Sequence, residues 1–321
     1  MTDKAEAEVV ATLPPWATLG VDVRGTDPTK MIKEAGLNWK VSKEPLFQKV
    51  TSGGSTEYRP VPRSYLLTRS NDKKILSVVG EAYKPIQNEE AISFLTSFVK
   101  AGSMTMEAMG AVKDGRHIWA LANAGYEFEL QGGDVVSSHL LISVPHVIGH
   151  GISVRHVSLR KESMSTFTAP LRDNGKSIRM PHLRPFDDNI RVLAERALEL
   201  SKMAAEDFEE RAKFLASKKA KRSEVRHFMV RLFDPKRKPT IKLEEATRPV
   251  KLAYGAIDDQ PGALMESMSG TWWGALGAVA YTIDHLLGRN RDLALSNAWF
   301  GGKAAIKTKA IALATEYAKQ S

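Results

Sequence analysis

The chain has 321 residues, of which 43% are hydrophobic and 26% charged, a composition typical of a folded protein that excludes disorder along the whole length. Its 46 Lys and Arg residues outnumber 37 Asp and Glu residues, and the resulting net charge of +9 favours a polyanionic partner. The absence of cysteine excludes disulfides, thiolate nucleophiles and cysteine-ligated metal centres.

The polar, charged first residues have no apolar core of a secretory signal, and Pro14 and Pro15 follow them. We therefore expect a flexible tail over residues 1–15 and a protein of the cytoplasm of a bacterial host cell. The longest apolar run, residues 272–281, is shorter than the roughly 20 residues that cross a bilayer. It is predicted to be a buried helix, and no membrane contact is expected.

Residues 16–186 are predicted to form an α+β, nucleic-acid-binding body. Two hairpins are indicated by polar turns between apolar runs, and an Asp-Gly pair marks the second turn. Asn88, followed by two glutamates, is typical of a helix cap and predicts a helix that ends near Gly102. The predicted strands cover residues 64–69, 75–79, 105–112, 117–123, 126–130, 135–144 and 152–159.

The pattern changes after Pro185, where apolar residues recur every three or four positions. This spacing predicts a helical pair over 187–233 and a C-terminal helical segment over 263–321. Four prolines between them predict an extended connector over 234–262. The predicted fold class is α+β, with a mostly antiparallel sheet carrying a packed helix, followed by a helical C-terminal half.

Positive charge is concentrated in residues 151–186, which hold seven basic and two acidic side chains. Such clusters bind phosphates by releasing counterions, and aromatic rings among them can stack on bases. A second basic cluster joins the helical pair, while Lys236–Lys238 is typical of a solvated loop. The candidate nucleic-acid-binding residues are Arg155, Arg160, Lys161, Arg172, Lys176, Arg179 and Phe167, then Lys218, Lys219, Lys221 and Arg222, and finally Lys303 and Lys307.

Phe167 has two interpretations, a ring that stacks on bases or a ring in the core, and the same alternatives apply to Trp119. No hydrolase motif is found, and Gly301-Gly302-Lys303 does not have the spacing of a phosphate-binding loop. Asp284 and His285 suggest an acid–base pair, but adjacent helical residues point in different directions, so a structural role is predicted. We therefore expect no enzyme activity, no catalytic residue and no cofactor.

Four of the eight histidines lie in or near the basic stretch. Proline and glycine around residues 145–151 disfavour the helix that would bring two of them together, so no metal site is predicted. Hydrogen bonding within a loop or contact with phosphate is the expected role. The four histidines are His146, His150, His156 and His182.

Several sequence blocks together resemble a phage/plasmid-like family of unknown function carried by mycobacterial phages and actinobacterial plasmids. They are Thr271–His285, Ser296–Gly302, Lys307–Ala310, Trp39–Val41, Leu76–Gly80, Tyr83–Asn88 and Gly115–Trp119. The chain departs from the family at Val157–Met164, where relatives have an Arg-Val-Val-Cys-x-Asn-Thr-like strand end. No role tied to that Cys or Asn is expected here. The resemblance implies a mobile-element context.

In that context, a basic sheet-plus-helix protein is similar to the single-strand annealing proteins of the RecT, Redβ and Erf kinds. This analogy implies a phage or plasmid recombination protein that forms homo-oligomeric rings or filaments on single-stranded DNA. It would lay one strand along a basic groove and promote ATP-independent annealing. Further expected partners are a phage exonuclease or a host single-strand-binding protein.

Three alternatives are compatible with the sequence. The first is a non-annealing DNA-binding accessory protein of phage replication or packaging. The second is a metal-dependent nuclease that uses Glu162, Asp173 and Asp187. The third is a structural interaction protein with the region from Trp272 to Trp299 as its adhesive surface, although the spacing of these tryptophans is that of a helix core.

Overall fold

The structure, a computed structural model, describes residues 13–23, 28–100, 104–173, 176–177, 179–180 and 189–321. Its strands are β1 (Gly20–Asp22), β2 (Val41–Ser52), β3 (Ser55–Arg69), β4 (Ile75–Gly80), β5 (Thr105–Val112), β6 (His117–Leu130), β7 (Asp134–Pro145), β8 (Ile152–Arg160), β9 (Ser165–Pro170), β10 (Arg172–Asp173), β11 (Lys176–Ser177) and β12 (Arg179–Met180). Its helices are α1 (Pro28–Glu34), α2 (Asn88–Lys100), α3 (Asn189–Ser217), α4 (Arg222–Phe233), α5 (Arg248–Asp259), α6 (Trp272–Tyr281), α7 (Arg291–Phe300) and α8 (Gly302–Ala318).

The main sheet is an antiparallel meander of β5, β6, β7 and β8, with β1 added at the β5 edge. At the other edge, β9 and β12 pair with successive parts of β8. From β5 to β9 each strand pairs with the next one in sequence, as short connections favour. The predicted α+β class with a mostly antiparallel sheet is confirmed.

A smaller sheet has the order β2-β3-β4, and its β3–β4 pair is the first predicted hairpin. The strands β2 and β3 pair on both sides of a register shift between Pro45 and Phe47, and they continue past the end of β4. The two-stranded part, residues 47–60, is hereafter called the arm.

The helical half packs around α6, which is almost completely buried. Trp119, Trp272, Trp273 and Trp299 are fully buried in one apolar cluster with α3, α4 and α8. The idea of an adhesive surface between Trp272 and Trp299 is therefore wrong, because these indoles are core side chains. Trp119 is likewise a core residue rather than a platform for bases.

The predicted extended connector over 234–262 contains the helix α5, which packs against α4 and α6. Its prolines mark the ends of this helix, because Pro249 occupies the first turn and Pro261 lies just beyond Asp259. Proline is compatible with a first turn, where the missing N–H has no intrahelical partner. The prediction of an extended connector is wrong for residues 248–259, which form this helix.

At the N-terminal end, residues 1–12 of the predicted tail lie outside the described residues, whereas Pro15 and Trp16 are buried. The indole of Trp16 lies 5.5 Å from that of Trp299, so the chain joins the core at this point. No helix within the described ranges is both long and apolar enough to cross a membrane. The domain boundaries stay a prediction.

Candidate nucleic-acid interface

Two residues of the predicted groove are interior residues. Arg160 is fully buried, and its Nε donates to Asp134 Oδ1 at 2.6 Å while Nη1 donates to the Pro261 carbonyl at 2.8 Å. Phe167 is 3% exposed and packs on Phe208 with a centroid distance of 5.3 Å. Neither side chain reaches a surface groove, so both assignments are corrected: Arg160 is a buried ion-pair residue and Phe167 a core residue.

The remaining residues of the predicted groove are not brought together. Arg155 lies within β8 and Lys161 directly follows its last residue, which places them about 20 Å apart at 3.4 Å per residue. Lys161 pairs with Glu127 at 2.6 Å, and Arg172 is exposed beyond β9. Lys176 and Arg179 lie in β11 and β12, and their side chains fall outside the described part.

The second basic cluster lies at the junction of α3 and α4. Lys218 is half-buried with its Nζ 5.6 Å from the Phe214 ring centroid, and Lys219 is exposed. Arg222 forms an ion pair with Asp258, which raises the pKa of the guanidinium. Lys221 is exposed and lies 3.7 Å from Glu224. Two of these cations are therefore balanced by carboxylates.

The assignment of Lys307 as a second-tier candidate is corrected too, because this residue is fully buried. Its ammonium donates to the Thr166 carbonyl at 2.7 Å and pairs with Asp284, whose other oxygen accepts from the Thr166 N–H at 2.7 Å. Burial lowers the pKa of Lys307. Asp284 has the structural role predicted for it, since it joins its helical turn to β9. Lys303 is half-buried and donates to the Leu287 carbonyl at 3.2 Å.

Exposed cations converge instead on a pocket between the β5–β6 turn and α7. This basic pocket has a volume of about 630 Å³, within the range of small-ligand sites. Its lining residues are Lys113, Arg116, His117, Val147, His150, Leu293, Ser296, Asn297, Phe300 and Gly301.

The Asp-Gly turn positions the two strongest cations of the basic pocket. Lys113 and Asp114 have φ values of 54° and 59°, and Gly115 follows at 84°, a left-handed conformation that glycine adopts without strain. The Lys113 N–H donates to the Asp292 carboxylate at 2.7 Å, which fixes the turn to the start of α7. Lys113 and Arg116 are exposed, and neither has an ion-pair partner in the described part of the chain.

The pKa of His117 is affected by the positive charges around the basic pocket. This buried imidazole stacks on Phe300 with a centroid distance of 4.3 Å. Burial lowers the pKa of His117 to about 3, with further lowering by the positive charges of Lys113, His150 and Arg155. The Arg155 guanidinium lies 5.8 Å from the Phe300 ring centroid, so this predicted residue does adjoin the pocket.

The N-terminal end of α8 adds a further positive contribution. Gly301 precedes this helix and lines the pocket, and the Lys303 N–H donates to Asn297 Oδ1 at 3.0 Å. The amino end of a helix has a partial positive charge from its aligned peptide dipoles. The pocket therefore combines turn cations, a neighbouring arginine and a helix end, all favourable to an anion such as phosphate.

A second cavity, of about 340 Å³, lies on the main sheet and is more acidic. Glu107 there forms a hydrogen bond with His139, and Glu127 is held by Lys161. Within the described ranges, no three His, Asp or Glu side chains are arranged to hold a metal ion. For the nuclease alternative, Glu162 is exposed, whereas Asp187 and the side chain of Asp173 lie outside the described residues.

Of the four histidines, the three that the structure describes do not form a common site. His146 is buried and bonds Asn88 Oδ1 at 2.8 Å, and His156 is buried between Ser158 and Ser201. His150 is exposed and lines the basic pocket, and its contact with phosphate stays a prediction. His182 lies outside the described residues.

Fold and pocket together define an α+β protein with a basic cleft between its main sheet and its C-terminal helices. The chain belongs to the family described as a domain of unknown function, DUF932, whose model matches residues 75–299. No curated protein and no solved structure matches the chain. The matched region includes the turn of residues 113–116 and all of α7 except its last residue, Phe300.

Counting charge along the sequence missed Lys113 and Arg116, the two most exposed cations of the pocket. A local signal was available, because an Asp-Gly hairpin turn flanked by basic residues must project both cations from the end of a sheet. The contribution of α7 and α8 has no such signal, since nearly 180 residues separate Lys113 from Asp292.

Proposed function

We propose that this protein is a recombination protein of a phage or plasmid that binds single-stranded DNA and promotes ATP-independent annealing. The observation that carries the proposal is the basic pocket, with Lys113 and Arg116 exposed and Arg155 adjoining it. Lys113 and Arg116 are exposed and have no ion-pair partner among the described residues, so a phosphate that they bind releases its condensed counterions. The resemblance of several sequence blocks to phage and plasmid proteins supports the proposal of a mobile-element setting.

Binding through the pocket is a contact with the backbone of the strand. Lys113 and Arg116 would hold one phosphate in the cleft, and Arg155 the next. Contacts of this kind do not depend on base identity. They leave the Watson–Crick edges of the bases free for a complementary strand, and the bound cations lower the repulsion between the two backbones. Annealing then follows from base pairing and needs no hydrolysis.

The larger assembly is part of the same proposal. A pocket that holds few phosphates gains affinity when several copies bind one strand, because later contacts are made at high effective concentration. We therefore propose homo-oligomers on DNA, in rings or filaments, with a phage exonuclease or a host single-strand-binding protein as further partner.

The test compares two double variants that remove the same charge. Lys113→Gln/Arg116→Gln empties the pocket of its turn cations, whereas Lys236→Gln/Lys238→Gln changes an exposed loop outside the pocket. Binding of a labelled oligonucleotide is measured across a salt series, and pairing of two complementary oligonucleotides is followed by fluorescence. The pocket variant should lose about 0.7 from the slope of log K against log salt, because Lys113 and Arg116 together hold one phosphate and each phosphate contact contributes about 0.7.

The expected result also includes faster strand pairing with the wild-type protein, an acceleration that fades with salt and is reduced in the pocket variant. Equal effects of the two variants would refute the pocket as the binding site. Binding without acceleration would identify a non-annealing accessory protein instead, and no binding would refute both functions.

A further inference from the structure

The arm extends from the small sheet as a two-stranded ribbon. The strand β4 pairs with β3 only between Ser64 and Thr68, so no third strand of the described chain pairs with residues 47–60. Most of its side chains are exposed. At 3.4 Å per residue, the six paired residues of each arm strand extend about 20 Å.

One face of the arm is aromatic. Phe47 pairs with Pro60, and Lys49 pairs with Tyr58, so these four side chains lie on the same face. Phe47 is 52% exposed and Tyr58 is 64% exposed. The two rings occupy diagonal positions, whose separation in an antiparallel ladder is about 7–8 Å. Two large aromatic side chains are thus held side by side in solvent.

The two faces of the arm differ in charge. On the opposite face, Arg59 is paired with Glu57 at 3.0 Å, which leaves that face neutral. Lys49 has no ion-pair partner within the described ranges, and it stands directly opposite Tyr58. The aromatic face therefore combines exposed rings with a free positive charge.

The base of the arm sets it apart from the sheet. A β-bulge lies between Pro45 and Phe47, and on the other strand Arg63 has a φ of 54°. Bulges of this kind bend a strand and redirect its side chains. Pro60 and Pro62 have no N–H to donate, and proline on an edge strand opposes the addition of another strand. The faces rather than the edges of the arm are therefore available for contact.

We propose that the aromatic face of the arm is a stacking platform for the unpaired bases of single-stranded nucleic acid, an inference that rests on the proposed function. Phe47 and Tyr58 would each take the face of a base, and Lys49 would contact the phosphate between them. Aromatic rings interleaved with cations are the combination with which proteins hold single strands without sequence preference.

Charge favours this occupant over a second copy of the chain. Lysine is depleted from the cores of protein interfaces, because an ammonium is costly to desolvate without a partner. A phosphate backbone supplies that partner for Lys49. The basic pocket contacts phosphate only, so the arm would supply the contacts to bases that the pocket does not make.

The test uses two oligonucleotides of equal length, one ordinary and one abasic, with the full chain and variants of the arm. Phe47→Ala and Tyr58→Ala each remove one exposed ring. Tyr58→Phe keeps the ring, and Gln48→Ala alters the opposite face. Affinity is measured by fluorescence anisotropy, and the mass of the free protein by light scattering.

Each alanine variant should bind the ordinary strand at least about fivefold more weakly, as expected for the loss of one stacked base. Affinity for the abasic strand should not change, and Tyr58→Phe and Gln48→Ala should bind both strands as the wild type does. An equal loss of affinity for both strands, or no loss for either, would overturn the stacking platform. The proposed function would still stand in that case, provided that the wild-type protein binds the ordinary strand.

Two other results are distinguishable from these. A wild-type protein that binds neither strand would overturn the proposed function, and the platform with it. A lower mass of the free alanine variants with unchanged affinity for DNA would show that the arm contacts a second copy of the chain, which contradicts the proposal.

Discussion

The variant Arg160→Met tests whether Arg160 contributes to the stability of the fold or to the proposed binding of DNA. The guanidinium is fully buried and donates to the carboxylate of Asp134 at 2.6 Å. The other oxygen of this carboxylate accepts from Trp273 Nε1 at 2.8 Å and from Ser267 at 2.9 Å. Arg160→Met would leave those two neutral donors but remove the only cation that contacts Asp134 in the described part of the chain.

The expected cost follows from this geometry. Removing one partner of a buried ion pair leaves an uncompensated charge and lowers stability by about 3–5 kcal/mol. The loss is increased because the same guanidinium also donates to the Pro261 carbonyl at 2.8 Å. Urea unfolding followed by tryptophan fluorescence measures the change, since Trp273 lies in this network.

The matched control also removes the buried carboxylate that Arg160→Met leaves without a cation. The double variant Asp134→Asn/Arg160→Met should be more stable than Arg160→Met alone, because no buried carboxylate then lacks a cation. Lys161→Met, one residue further along, should change stability by less than about 1 kcal/mol, because Lys161 pairs with Glu127 at the surface. A stable Arg160→Met variant with weakened DNA binding would refute this reasoning and restore Arg160 to the interface.

Three further predictions concern the fold. Burial lowers the pKa of His156 to about 4. The stability that is present above about pH 6.5 should therefore fall by about 1.4 kcal/mol per pH unit towards pH 4. Urea unfolding of His156→Gln should show a weaker dependence of the unfolding free energy on pH. Lys307→Met should cost about 3–5 kcal/mol in thermal unfolding, and adding Asp284→Asn should recover part of it. Gly110→Ala would place a Cβ 2.2 Å from the Leu19 carbonyl oxygen, and the resulting strain of about 1–3 kcal/mol should lower Tm and increase hydrogen exchange in β1.

Strands joined by local turns were predictable from the sequence. The run 105–112, the turn and the run from His117 correspond to β5 and β6, because an Asp-Gly pair specifies its own backbone. The strand β9 was not predicted. Its sequence, Ser165–Pro170, is polar and short, and it is a strand only because β8 and the helical half cover it.

The helix α2 begins at the predicted residue, but the hydrogen bonds of that residue differ from those expected of a helix cap. The helix does begin at Asn88, but the side chain of this residue donates to the Leu37 carbonyl at 2.8 Å and accepts from His146. The Gln87 N–H donates to Glu90 instead, at 2.9 Å. A residue that is suited to capping is equally suited to tertiary hydrogen bonds, and sequence alone does not separate the two.

The prediction of the binding site was wrong for basic residues that were counted as surface charges but are buried in the structure. Arg160 and Lys307 have carboxylate partners 26 and 23 residues away, and no periodicity links these positions. Lys113 and Arg116, by contrast, lie in a turn, where burial is rare. Basic residues in turns were thus better candidates for phosphate contact than basic residues within strands of the central sheet.

The two buried ion pairs hold the C-terminal helices on the main sheet, and the basic pocket lies between these two parts of the protein. Arg160 ties β8 to the segment before α6, and Lys307 ties α8 to β9, so both fix the C-terminal helices on the main sheet. The pocket lies where α7 and the start of α8 meet the turn of residues 113–116. Cations with buried partners should therefore affect DNA binding only through loss of the fold, whereas Lys113 and Arg116 should affect binding at unchanged stability.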